Sequence, residues 1–135
     1  MLAKAKEEME SRFIEKLLPL RLDARQFGVL QFLEEYPNSS QKQVGDALQI
    51  DRTTMVSHID FLEELQYVKR IRNPKDRRSF VVTITKRGQE KLKLGRSYLE
   101  DTEMDVLSSL TGKEQEEFKS ILLKVWATIQ KGEEE

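Results

Sequence analysis

Apolar positions in the first half of this chain recur every three or four residues, with charged and polar residues between them. This period predicts a series of amphipathic helices. Pro19 and Pro37 end the first two, since a proline cannot continue the helical hydrogen-bond ladder. The four predicted ranges are 2–18, 23–36, 40–48 and 51–65.

Several predicted helices begin at polar residues that can cap the first free backbone N–H groups. Asp51 is placed to cap the helix 51–65. Only a short connection separates this helix from 40–48, and such a pair is typical of a helix-turn-helix motif. Three other helix starts carry the capping-box pattern, in which two side chains three residues apart cap each other's backbone: Asp23 with Gln26, Ser40 with Gln43, and Thr111 with Glu114.

From Tyr67 the apolar period shortens to about two residues, which predicts β-strands at 67–72 and 80–84. The segment between them contains Asn73-Pro74, a turn signal. The two strands therefore form a hairpin directly after the helix pair, as in a winged helix-turn-helix.

Two more helices follow the hairpin. The first is predicted over 86–110 and repeats apolar residues every seven positions, which is typical of a helix-pairing surface. Two arrangements are open: the outer helices pack on their own core, or they pair with a second copy of the chain, which we favour. The predicted dimerisation residues are Phe13, Leu17, Leu99, Val106, Phe118, Leu122 and Val125.

These elements predict a mainly α fold with a small β wing: a winged helix-turn-helix with N- and C-terminal dimerisation helices. The length of 135 residues fits one integrated domain. Within it we expect an N-terminal dimerisation helix over 1–21, the winged helix-turn-helix over 22–88 and C-terminal dimerisation helices over 89–135.

Composition excludes several kinds of chemistry. The chain has no cysteine and one histidine, so we expect no disulfide and no metal site. No catalytic pattern or phosphate-binding glycine loop is present, so we predict neither an enzyme nor a cofactor. No apolar run approaches the roughly 18 residues of a membrane helix, and the N-terminus lacks a signal-peptide core. We therefore expect no membrane partner and a cytoplasmic location.

The net charge of −1 conceals a separation of charge along the sequence. Residues 37–96 hold 13 Lys and Arg against 7 Asp and Glu, a net charge of +6. The rest of the chain holds 10 against 17, a net charge of −7. Positive charge is concentrated on the winged segment, where it would steer a dimer toward DNA.

The hairpin loop is strongly basic. From Lys69 to Arg78 there are six basic residues and one acidic residue, a net charge of +5. A solvated charged loop is the plain alternative, but a basic hairpin beside a recognition helix can reach a minor groove. We also expect Asp76 to orient the Arg78 guanidinium through a bidentate pair. The predicted DNA-binding wing residues are Arg72, Lys75, Asp76, Arg77 and Arg78.

Polar residues near the starts of the two helix-turn-helix helices are further candidates. Hydroxyls bond phosphates or base edges, and arginine pairs with guanine. Capping is the alternative role for Ser40 and Thr54, and a half-buried core position is the alternative for His58. The recognition-helix candidates are Arg52, Thr53, Thr54, Ser57 and His58. The candidates at the N-terminus of the preceding helix, where free N–H groups favour a phosphate, are Ser39, Ser40, Gln41 and Lys42.

Several of these segments together resemble the MarR (multiple antibiotic resistance regulator) family of winged-helix transcription regulators. The resemblance covers about half of the chain by motif and the whole chain by element order. Its residues are Asp51-Arg52-Thr53-Thr54-Met55-Val56, Ile59-Asp60-Phe61-Leu62-Glu63, Val68-Lys69-Arg70, Asn73-Pro74-Lys75-Asp76-Arg77-Arg78 and Thr83-Ile84-Thr85-Lys86-Arg87-Gly88.

The resemblance implies a recognition helix at 51–65 and a wing at 67–85. Asp76 and Arg78 match the family's Asp-x-Arg wing tip, in which the arginine enters the minor groove. The resemblance also implies dimerisation through the first and last helices, and binding to pseudo-palindromic operators, mostly as a repressor. Many members of the family release DNA when a small phenolic or anionic ligand binds.

Three residues depart from the family pattern. Gln66 stands where the family usually has glycine, and a left-handed conformation there would cost about 1 kcal/mol relative to glycine. His58 stands where relatives often have leucine, and Ser57 stands where many have arginine. These departures bear on base reading rather than on the fold.

The sequence thus predicts a sequence-specific regulator of transcription that binds double-stranded DNA as a homodimer, as a ligand-responsive repressor. Its expected partners are DNA, a second copy of the chain and a small aromatic or anionic effector, whose pocket the sequence does not mark. A winged-helix protein-interaction module without DNA binding is the alternative, since this fold serves both roles. The basic wing favours DNA.

Overall fold

The computed structural model describes residues 1–134, and it describes side chains through Gly132. The helices are α1 Leu2–Leu17, a 3₁₀ turn Leu18–Leu20, α2 Ala24–Glu35, α3 Gln41–Leu48, α4 Arg52–Glu64, α5 Lys86–Val106 and α6 Gly112–Glu134. The strands are β1 Ser39–Ser40, β2 Val68–Arg72 and β3 Phe80–Ile84. These elements confirm the predicted mainly α fold with a small β wing.

The chain forms two compact units, Met1–Glu100 and Asp101–Glu135. The first unit contains the whole winged helix-turn-helix, together with α1 and most of α5. The second contains the end of α5 and all of α6. The predicted division into dimerisation and DNA-binding segments is one of function and stays a prediction, and its last residue, Glu135, lies outside the described residues.

The helix starts in the first unit follow the predicted caps. Asp23 Oδ1 accepts from the Gln26 N–H at 2.8 Å, and the Gln26 side chain accepts from the Asp23 N–H at 3.1 Å. Ser40 and Gln43 form the same reciprocal pair at 3.0 and 2.8 Å. Each box satisfies donors that the first helical turn leaves free, which explains why these helices begin where the sequence predicts.

The sheet has three antiparallel strands in the order β1-β3-β2. β2 and β3 pair along their full length and form the predicted hairpin. β1 was not predicted, because two residues are too few to show an alternating pattern. Its Ser39 and Ser40 pair with Val82 and Val81 of β3. Since β1 leads directly into α3, the sheet joins the wing to the helix-turn-helix.

The core of the first unit is formed by apolar side chains from all of its helices and from the sheet. The Phe13 and Phe27 rings meet edge to face, with centroids 5.1 Å apart. Gly95 of α5 faces Phe27 so closely that a Cβ there would lie 2.5 Å from a ring carbon. The buried Tyr67 hydroxyl donates to the Leu20 carbonyl at 2.8 Å. α5 and the base of the wing are therefore both fixed on the N-terminal helices.

Gln66, between α4 and β2, has a left-handed backbone with φ of 65°. Its N–H donates to the Glu63 carbonyl at 2.9 Å, and its carbonyl accepts from the Thr85 hydroxyl at 2.6 Å. Gln66 thus adopts a left-handed conformation although it carries a Cβ. Arg21, Asn38 and Gln49 are also left-handed.

In the second unit, α5 ends one turn earlier than predicted. The Gln115 amide donates to the Leu107 and Leu110 carbonyls, both at 3.2 Å, which satisfies acceptors that a continued helix would have bonded. The predicted capping box is present: Thr111 Oγ1 accepts from the Glu114 N–H at 3.2 Å, and Glu114 Oε1 accepts from the Thr111 N–H at 3.0 Å. Every helix within residues 1–134 is too short or too polar to span a bilayer.

The residues predicted for dimerisation differ in the surface that they retain. Phe13 and Leu17 are buried in the core of the first unit, and Leu99 packs against that core. Phe13 and Leu17 are only 7% and 0% exposed, so their burial within one chain argues against a large contact with a partner. Val106 is half-buried. The exposed large apolar side chains of α6 are Phe118, Ile121, Leu122, Leu123, Val125, Trp126 and Ile129.

Candidate nucleic-acid interface

The first turns of α4 present polar side chains to solvent. Arg52, Thr53 and Ser57 are exposed. Thr54 is half-buried, and its hydroxyl and N–H donate to the two carboxylate oxygens of Asp51 at 2.7 and 2.8 Å. These bonds, the hydroxyl first, lower the pKa of Asp51. Thr54 therefore belongs to the cap, while the other three side chains are available to a base edge or a phosphate.

His58 is a half-buried residue of α4, and its ring faces α2. Its Nδ1 is 3.4 Å from Gln26 Nε2, and its Nε2 is buried without a hydrogen-bond partner among the described residues. Gln26 Oε1 accepts from the Asp23 N–H, so the amide nitrogen is the atom that faces the ring. The half-buried position given as the alternative for His58 is therefore the one that the structure shows.

The start of α3 divides between structural and exposed residues. Ser39 is buried, and its hydroxyl donates to the Tyr36 carbonyl at 2.7 Å, so its predicted phosphate contact is corrected. Ser40 accepts a capping hydrogen bond at 3.0 Å. Gln41 is half-buried, whereas Lys42 is exposed. Lys42 is thus the side chain of this group with the greatest freedom to reach a phosphate.

The wing tip, residues 73–79, is closed by two side-chain turns. Asn73 Oδ1 accepts from the Lys75 N–H, and Asp76 Oδ1 accepts from the Arg78 N–H, both at 3.0 Å. The predicted pair between Asp76 and the Arg78 guanidinium is wrong: the carboxylate fixes the backbone of Arg78 instead, as Asx turns do. The exposed cations of the wing tip and its base are Lys69, Arg72, Lys75, Arg77 and Arg78.

Arg70, on β2, is a residue that the site prediction missed. Its guanidinium pairs with Asp60 of α4 and lies 5.5 Å from the centroid of the Phe80 ring on β3. Its N–H donates to Glu63 Oε2 at 2.9 Å. The available signal was two acids three residues apart, which lie on one face of a helix. The sequence did not show which of the six basic residues between Lys69 and Arg78 pairs with these acids.

A groove of about 570 Å³ lies between α3, α4 and the wing. Exposed cations from all three elements line it, namely Lys42, Arg52 and Arg78. Asp46 is the acidic residue of its lining. The fold therefore brings together positive side chains that lie up to 36 positions apart in the sequence.

This arrangement is similar to that of known proteins. Residues 22–79, which include α2 to α4, β2 and the wing tip, match the MarR family model. Over these residues the chain is similar to the MarR family. The proteins of this family are transcription regulators rather than enzymes.

Several similar proteins cover most of the length of this chain. The HTH-type transcriptional regulator BilQ of Clostridium symbiosum (strain WAL-14163) is 25% identical over 112 residues, 81% of this chain and 78% of that protein. The transcriptional repressor CouR, solved on a 23-mer DNA duplex, is 29% identical with a TM-score of 0.82, over 96% of this chain and 89% of that one. A mutant MarR from E. coli in complex with operator DNA is 23% identical with a TM-score of 0.76, over 92% and 89% of the two chains, and shares the fold.

Proposed function

We propose that this chain is a member of the MarR family, that it binds double-stranded DNA sequence-specifically as a homodimer, and that it acts as a ligand-responsive repressor of transcription. The observation that carries the proposal is that exposed cations of α3, α4 and the wing tip line the same groove. The relatives support it: CouR is a repressor solved on DNA, and BilQ is a transcriptional regulator.

Each part of the groove suits one feature of a DNA duplex. α4 enters the major groove, where Arg52, Thr53 and Ser57 reach base edges and phosphates. The wing tip reaches the neighbouring minor groove with Arg77 and Arg78. Because Asx turns hold the tip backbone before binding, less conformational freedom is lost when these arginines are ordered on DNA.

The dimer uses the exposed apolar face of α6. A contiguous exposed apolar surface marks an interaction site, and two-fold homodimers are the commonest soluble oligomers. Binding to two successive half-sites requires the two copies of α4 to lie about 34 Å apart, one turn of B-DNA. Leu122→Glu is expected to give a monomer in sedimentation equilibrium, whereas Ser120→Glu, which adds the same charge on α6, leaves the dimer intact. An unchanged mass for Leu122→Glu contradicts this interface.

The effector is expected to be a small aromatic or anionic molecule. It lowers DNA affinity only if it binds more tightly to dimers in which the two α4 helices do not match the groove spacing. Small aromatic acids added to a preformed protein–DNA complex should release the DNA in a saturable way. Release that tracks only the added ionic strength would contradict this part of the proposal.

DNA binding is tested by fluorescence anisotropy on sequences selected from random DNA. Affinity should fall steeply with salt, because several phosphates per subunit are neutralised. Arg78→Ala should cost about 1–3 kcal/mol of binding free energy with no change in folding. Lys119→Ala on α6 is the control and should bind as the wild type does. A flat salt dependence, or equal affinity for selected and random DNA, would point to the protein-interaction alternative.

A further inference from the structure

Arg70 connects the wing to the recognition helix through three separate contacts. Its guanidinium donates a hydrogen bond to Asp60, and its backbone N–H donates to Glu63. The guanidinium carbon Cζ lies over the Phe80 ring. The two acids lie on α4, whereas Phe80 is the first residue of β3 after the wing tip. One residue on β2, through its side chain and its backbone, thus joins α4 to both strands of the hairpin. We refer to these four residues as the wing clamp.

Arg70 and Phe80 line the groove between α3, α4 and the wing, but the wing clamp leaves little of the Arg70 cation open to a phosphate. The Arg70 side chain is 17% exposed, and its Nε is buried without a partner among the described residues. Arg72, two residues along the same strand, is exposed. A phosphate contact needs a free guanidinium edge, and Arg72 meets that need far better than Arg70.

Fold stability gives little reason for an arginine at this position. Asp60 is largely exposed, with 60% of its side-chain surface open, and ion pairs with exposed partners contribute little. A buried N–H without an acceptor is unfavourable. An apolar residue of similar length would fill the space between α4 and Phe80 without that penalty.

We infer that Arg70 is a positioning residue that holds the wing at the angle to α4 at which both elements can engage DNA. The inference rests on the proposed DNA-binding function and adds a residue that acts without touching DNA. The wing tip lies roughly 15 Å beyond the clamp at the usual rise of a strand, so a rotation of about 10° at the base moves the tip by about 3 Å. Such a displacement is enough to break a hydrogen bond between the wing tip and DNA.

The sharpest test removes a negative charge. Asp60→Ala takes one acid from α4, so simple electrostatics predicts tighter DNA binding. The wing clamp predicts the opposite, a loss of about tenfold, or about 1.4 kcal/mol. Glu64→Ala is the matched control, because Glu64 is an exposed acid four residues further along the same helix. It should bind DNA as well as the wild type or slightly better.

Phe80→Leu provides a second test without any change in charge. It removes the ring face on which Arg70 rests and keeps an apolar side chain, so affinity should again fall about tenfold, about 1.4 kcal/mol. In a double-mutant cycle, the loss from Asp60→Ala should be smaller in an Arg78→Ala background, because one of the two tip arginines that a displaced wing would misplace is then already absent. Urea midpoints of Asp60→Ala and Glu64→Ala should agree.

The outcomes separate the inference from the proposed function. A wild-type chain that binds no DNA overturns both. Wild-type binding with a steep salt dependence, together with unchanged or tighter binding by Asp60→Ala, overturns the positioning role alone. Losses that add fully with Arg78→Ala also overturn it, since they indicate that the clamp residues act independently of the wing tip.

Discussion

Replacing Gln66 by glycine should stabilise the protein, which is unusual for a glycine substitution. Gln66 is exposed, and only its backbone is hydrogen-bonded, to the Glu63 carbonyl and the Thr85 hydroxyl. Gln66→Gly therefore leaves both of these bonds in place. What it removes is the Cβ, which at φ of 65° is crowded against the following carbonyl oxygen.

The magnitude follows from two opposing terms. A left-handed backbone costs about 1–2 kcal/mol for a residue with a Cβ, and glycine does not incur this cost. Glycine also gives the unfolded chain more freedom, which costs about 0.5–1 kcal/mol on folding. The difference favours Gln66→Gly by about 0.5–1 kcal/mol, which corresponds to a rise in Tm of roughly 2–4 °C for a chain of this size.

The assay is thermal and urea unfolding followed by circular dichroism, at one fixed protein concentration. Gln66→Ala is the first control: it shortens the side chain and keeps the Cβ, so it should not stabilise. Gln89→Gly is the second control, because Gln89 is exposed in the regular helix α5, where glycine should cost about 1 kcal/mol. If Gln66→Gly and Gln66→Ala have equal midpoints, the backbone explanation is refuted.

Two further predictions concern stability. Gly95→Ala should lower the free energy of unfolding by about 1–3 kcal/mol, because the added methyl group overpacks a buried phenylalanine. Gly28→Ala, in a helix with open space around the glycine, should raise the free energy of unfolding by about 1 kcal/mol. Urea unfolding measures both changes. A stabilised Gly95→Ala would show that α5 can shift away. The pKa of Asp51 is lowered by Thr54 below its ordinary value of 3.8, so its contribution to stability is complete above that value and is lost as the pH falls through the lower folded value. Asp51→Asn should therefore flatten the decline in stability below about pH 4, and an unchanged acid profile would contradict this role.

Elements that rest on local sequence were predictable. A helix starts at each of the predicted caps Asp23, Ser40 and Thr111, because both side chains of a capping box lie within four consecutive residues. The hairpin strands were predictable for the same reason, since alternation over five residues is a local signal. β1 was not, because its two residues are strand only through their pairing with β3.

Site residues were less predictable, because their roles depend on contacts across the fold. Arg52 and Arg78 are exposed as expected, and they lie on one groove. Ser39 was placed at the surface by its position near a helix start, but its pairing in β1 buries it. For His58 the half-buried alternative is the one observed, with its ring next to Gln26. The Asp76 carboxylate was predicted to pair with the Arg78 guanidinium. Instead it accepts a hydrogen bond from the backbone N–H of Arg78, which is nearer.

The two outer edges of the sheet have a consequence for how the protein behaves at high concentration. A strand edge with free N–H and C=O groups is a template on which other chains can add strands and aggregate. β1 offers only two residues, and on β2 the N–H of Arg70 is occupied by the Glu63 carboxylate between the charged side chains of Lys69 and Arg72. Both edges of the sheet are thus poor templates. An exposed hairpin can therefore extend toward a nucleic acid without recruiting the hairpins of other molecules into a growing sheet.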